Sequence, residues 1–138
     1  MIIGSNDFVL FEFRISTLYV TIKKSTCIRE EFDFTKKTIS NMYDSVLKMD
    51  NKKINILYDF RNLGLTQIGL FQEWANLFME RLEDSKKCIH KAIIVTNSDI
   101  MINILNTFLN SKANFLYLVT KSMDEANNFI KLSNYLNN

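Results

Sequence analysis

Ile54-Asn55-Ile56-Leu57-Tyr58-Asp59 is the stretch that decides the fold. A nearly continuous apolar run closed by a polar residue marks a strand covered on both faces, and such strands belong to parallel sheets. The pattern recurs in Ala92-Ile93-Ile94-Val95-Thr96 and in Phe115-Leu116-Tyr117-Leu118-Val119-Thr120-Lys121. An amphipathic segment follows each run and supplies the crossover that parallel neighbours need. The chain reads as α/β.

Before these runs, Phe8–Phe13 and Thr17–Ile22 are β-prone and separated by Arg14-Ile15-Ser16. No helix fits in that gap, so the two should form an antiparallel hairpin. From Arg29 to Met49, Phe32, Ile39, Met42, Tyr43, Val46 and Met49 recur at helical spacing. After Asp59 comes a loop with a turn at Gly64, and Thr66 is placed to cap a helix running to about Glu83. Ser98 caps a helix to about Asn110, and Ser122 with Glu125 forms a capping box that opens the last one. The expected order is β-β-α-β-α-β-α-β-α: an N-terminal hairpin and three parallel strands in one mixed sheet, with four helices, as a single domain over residues 1–138.

Composition narrows the function classes. A chain of 138 residues, 47% hydrophobic and 23% charged, has the size and apolar content of one folded domain. Its net charge is +2, and the pairs Lys23-Lys24, Lys36-Lys37, Lys52-Lys53 and Lys86-Lys87 are scattered near acids rather than massed. Nucleic-acid binding would want a clustered basic face, so none is expected. Cys27 and Cys88 form no Cys-x-x-Cys, and neither a membrane span nor a signal-peptide pattern is visible. A soluble, cytoplasmic protein with reduced thiols is the expectation. The absence of proline and the wealth of Asn, Ile and Lys fit AT-biased codons.

Function in open α/β sheets gathers beyond the strand ends, which brings Asp59, Thr96 and Lys121 together if the three parallel strands are neighbours. An Asp, a hydroxyl and a Lys so placed resemble the phospho-acceptor site of response-regulator receiver domains. Receivers also hold Mg²⁺ on an acidic pair after the first strand, where this chain has Phe13-Arg14. No metal site and no cofactor are expected. The alternative is that Asp59 and Thr96 cap loops while Lys121 is solvated. His90, the single histidine, stands between Ile89 and Lys91 just before a strand and reads as a surface or loop residue rather than a member of a triad.

The hairpin-first order resembles the STAS family, the anti-sigma factor antagonist or SpoIIAA-like domains, from Phe8 to Leu136. Its local carriers are Leu57-Tyr58-Asp59-Phe60, Gly69-Leu70, and Asp124-Glu125-Ala126-Asn127-Asn128-Phe129. Regulated members present a phosphorylated serine in an Asp-Ser-Ser-Gly-Leu stretch, where this chain has Thr66-Gln67-Ile68-Gly69-Leu70. The resemblance implies non-enzymatic regulation through a protein partner, without the phospho-serine switch. Its contact region would be the loop carrying Arg61 and Asn62, the helix start at Thr66, and Leu70, Trp74 and Leu77.

Two helices carry more apolar width than one core face requires. In the helix after Thr66, Leu70, Trp74 and Leu77 flank the stripe Ile68, Phe71, Ala75, Phe78 and Leu82, giving an arc of roughly 200° where roughly 100° would do. In the next helix, Ile100, Ile102 and Ile104 extend Met101, Leu105, Phe108 and Leu109, with no charge from Ile100 to Ser111. Either these helices meet a protein partner or a second copy of the chain, or both are deeply buried. A further hypothesis is a binding module for a small apolar or anionic ligand at the strand ends, using Asp59, Arg61, Thr96, Asn97, Thr120 and Lys121 with the helix starts at Ser98 and Ser122. A degenerate receiver-like acceptor at Asp59 is the third.

Overall fold

A computed structural model of the chain describes residues 1–64 and 68–136. Among them one mixed sheet holds β1 (Ile2–Ser5), β2 (Val9–Arg14), β3 (Thr17–Ile22), β4 (Ile54–Asp59), β5 (Ile89–Val95) and β6 (Leu116–Thr120). The helices are α1 (Arg29–Leu47), α2 (Ile68–Glu80), α3 (Leu82–Cys88), α4 (Asp99–Lys112) and α5 (Met123–Leu136). The α/β class, the β2–β3 hairpin and the three parallel strands are as expected from the sequence.

Strands lie side by side in chain order, antiparallel from β1 to β3 and parallel from β3 to β6. Crossovers of one hand that all step the same way deliver their helices to one face. Two separate cores result. On the first face, Phe11, Val20, Tyr58, Ile94 and Val119 form a row across five strands and pack beneath helices that include α1 and α4. On the opposite face, Leu57, Ile93 and Val95 meet Ala126 and Ile130 of α5. Continuous apolarity in β4 and β5 thus reflects helices on both sides. Tyr19 of β3 packs at the margin of this second core, where the Arg14 guanidinium lies 4.2 Å over its ring.

Two elements differ from the sequence expectation. β1 adds a sixth strand, pairing Ile2 with Glu12 and Ser5 with Leu10, and the N-terminal amine donates to Phe13 O at 3.0 Å. Four residues containing Gly4 are too few to show alternation. The helix expected to reach Glu83 stops at Glu80, breaks at Arg81 (φ −112°, ψ 29°) and resumes as α3. Arg81 is the cause: its guanidinium donates to Ser40 O (3.0 Å) and Asp44 (2.7 Å) on α1 and to Asp84 (3.0 Å), while its carbonyl accepts from Ser85 N and Oγ. The order is therefore β-β-β-α-β-α-α-β-α-β-α. The expected cap at Thr66 lies outside the described residues.

Candidate functional site

The polar strand ends are occupied by one another. Arg61 donates to both Asp59 oxygens, Nε to Oδ1 at 2.9 Å and Nη2 to Oδ2 at 2.8 Å, and the Arg61 backbone N–H adds a third bond at 3.1 Å. This pairing raises the Arg61 guanidinium pKa further. Asn62 donates to Ile22 O and Asn97 to Arg61 O, which ties the loop after β4 to its neighbours. Thr96 Oγ1 accepts from Ser98 N, and Ser98 Oγ caps α4 by accepting from Met101 N at 3.2 Å. Lys121 reaches Asp99 at 2.6 Å. Asp59, Thr96 and Lys121 do stand at the ends of adjacent strands, but each is committed to a local partner.

The capping box at α5 is modified in a way the sequence pattern could not show. Ser122 Oγ accepts from Glu125 N at 3.1 Å as expected, yet the return bond is not made directly. Thr120 Oγ1 accepts from Ser122 N (3.1 Å) and donates to Glu125 Oε2 (3.0 Å), so a third residue closes the ring. No cluster of metal-ligating side chains occurs among the described residues. His90 is half-buried at the start of β5, and burial together with Lys91 and Lys53 lowers its pKa.

The larger feature lies between α2 and α4. A cavity of about 370 Å³ runs above β4 and β5 with Tyr58, Ala92 and Ile94 in its floor. Phe71, Trp74 and Phe78 form one wall from α2, and Met101, Leu105 and Phe108 form the other from α4. Trp74, which the sequence placed on an outward flank, is half-buried. Its ring lies 5.1 Å from Phe60, 5.4 Å from Tyr58 and 6.1 Å from Phe32. The first two contacts are edge-to-face, the arrangement aromatic pairs prefer. Burial pushes the Tyr58 phenol far above its usual range, opposed by a hydrogen bond with the Trp74 side chain. Leu77 also lines the cavity, and Leu70 is half-buried nearby on α2.

The reason for the gap is in the ion pairs. Glu73 on α2 accepts from Arg29 through two bonds of 2.9 Å and from Lys36 at 3.2 Å, and Arg81 adds its bonds to Ser40 and Asp44, so α2 is tied to α1 along its polar edge. Toward α4 it extends Phe78, whose ring sits 5.7 Å from Phe108 and 5.8 Å from Phe115. A helix held on one side and propped by a single aromatic on the other leaves space between. Gln72 and Ile104, both exposed, stand at the mouth.

The size of the space matters energetically. An enclosed void of this volume would cost on the order of 9 kcal/mol at roughly 24 cal/mol per Å³, comparable with the whole stability of a small domain, about 5–15 kcal/mol. The open mouth relieves part of that cost. An apolar occupant would relieve the rest.

Sequence reasoning found the excess apolar width of both helices but not that Phe71, Trp74 and Phe78 of α2 face Met101, Leu105 and Phe108 of α4 across a gap. The available signal was Ala92, a small residue that pairs with the bulky Ile56 of β4 and Tyr117 of β6. Compared with family models, curated proteins and solved structures, the chain matches none.

Proposed function

We propose that this chain is a non-enzymatic binding module that holds a small apolar molecule between α2 and α4. The carrying observation is the 370 Å³ cavity, which falls in the ordinary size range of ligand pockets and whose walls are aromatic and aliphatic. The proposed site therefore moves from the strand ends to the helix-covered face of the sheet. The committed hydrogen bonds of Asp59, Arg61, Thr96 and Lys121 favour the move, since those groups already form the loop-and-cap rim.

Trp74, the single tryptophan, sits in the wall and serves as a built-in reporter. Titration with the uncharged fluorophore N-phenyl-1-naphthylamine should give saturable one-to-one binding, with Trp74 emission quenched by transfer to the probe. The melting temperature should climb with probe concentration, since about 2.7 kcal/mol of stabilisation is expected at 100 times Kd. Ala75→Phe, which fills the cavity from α2, should melt higher than wild type without probe and bind it at least tenfold more weakly. Non-saturable probe uptake that Ala75→Phe leaves unchanged would sink the proposal.

A STAS-like regulatory role through a protein partner or second copy has one observation in its favour. Ile100 and Ile104 on α4 are 63% and 50% exposed, an apolar pair facing out. A dimer in sedimentation equilibrium that Ile100→Asp dissociates would support that role, and a monomer at high concentration would count against self-association.

A further inference from the structure

We infer that the cavity between α2 and α4 selects uncharged ligands and rejects both carboxylates and ammonium ions of the same length. The inference rests on the proposed binding function and adds the chemical class of ligand.

Charge selection follows from the wall. Among the described residues no Asp, Glu, Lys, Arg or His lines the cavity. The Tyr43 hydroxyl is engaged with Ser85 Oγ at 2.9 Å and the Tyr58 hydroxyl with the Trp74 side chain, which leaves the Gln72 amide at the mouth as the polar group best placed to meet a ligand's end. The guanidinium groups and the lysine nearest α2 are committed to carboxylates, Arg29 and Lys36 to Glu73, Arg61 to Asp59, and Arg81 to Asp44 and Asp84, and no basic side chain lines the cavity among the described residues. A carboxylate drawn into the space would lose its water and find no cation in return, which is strongly unfavourable. An ammonium would meet no anion. A hydroxyl, aldehyde or ether needs one hydrogen bond at most, and Gln72 can donate or accept it.

The experiment is competition of 1-decanol, decanoate and decylammonium against N-phenyl-1-naphthylamine at pH 7.5, below micelle-forming concentrations. Decanol should displace the probe at least tenfold more effectively than either ion. Ile104→Lys, at an exposed position on the mouth, should raise decanoate affinity severalfold, and Gln72→Lys provides the same charge from the opposite helix. Equal displacement by decanol and decanoate from wild type would overturn the selectivity while leaving the cavity as a binding site. Failure of the probe itself to bind saturably would overturn the underlying function and this inference with it.

Discussion

Ile15 and Ser16 hold a conformation that neither residue favours. They form the two-residue link between β2 and β3, with φ of 45° and 64°, and Ile15 is 88% exposed. Two successive positive φ values match the type I′ turn whose twist suits an antiparallel hairpin, and that turn prefers Asn-Gly. A β-branched residue in the left-handed region is strained by about 1 kcal/mol or more. The sequence revealed the hairpin through the short spacing of its strands, yet hid the strain because Ile and Ser are not turn signals. Ile15→Asn with Ser16→Gly should stabilise the domain by about 1 kcal/mol, read as a higher urea midpoint with an unchanged slope. A lower midpoint would show that Ile15 makes a contact worth more than its strain.

Helix α2 is the element on which the site depends, and Glu73 is its principal tie. Hydrogen bonds from Arg29 and then Lys36 hold the Glu73 carboxyl at about 2, against an ordinary value of 4.5. Asp33, 3.5 Å from Arg29, competes for the same guanidinium. Because the folded value is depressed, the carboxylate stabilises the fold fully above the ordinary range, and the benefit fades as pH falls from about 4.5 toward about 2. Glu73→Gln should therefore melt lower than wild type at pH 7, with the difference closing by pH 2. High salt should shrink it as well, since the groups are partly exposed. A gap that persists at pH 2 would mean that Glu73 acts through packing rather than charge. The same helix marks where legibility stopped: the periodicity of Phe71, Ala75 and Phe78 was plain, but the break at Arg81 depends on Ser40 and Asp44, 41 and 37 residues earlier in the chain. Local pattern carries no trace of such a partner.

At the scale of the molecule, the fold was legible where burial imposes continuous apolarity, as in β4 and β5, and illegible where a short edge strand such as β1 depends on its neighbour. The site was half legible. The wide apolar arcs of α2 and α4 were visible, and partner surface and deep burial were the two explanations they allowed. What decides between them is how far apart two helices stand on a sheet, which depends on the Glu73 and Arg81 ties and on Phe78, Phe108 and Phe115 meeting at one end. The central claim is that the space so formed takes an apolar ligand. Its most direct test is the set of intermolecular NOEs in the complex with N-phenyl-1-naphthylamine. The predicted result is contact between probe protons and the methyl groups of Ile94, Met101 and Leu105, together with the Trp74 indole. NOEs confined to the outer face of Ile100, or none at saturating probe, would contradict it.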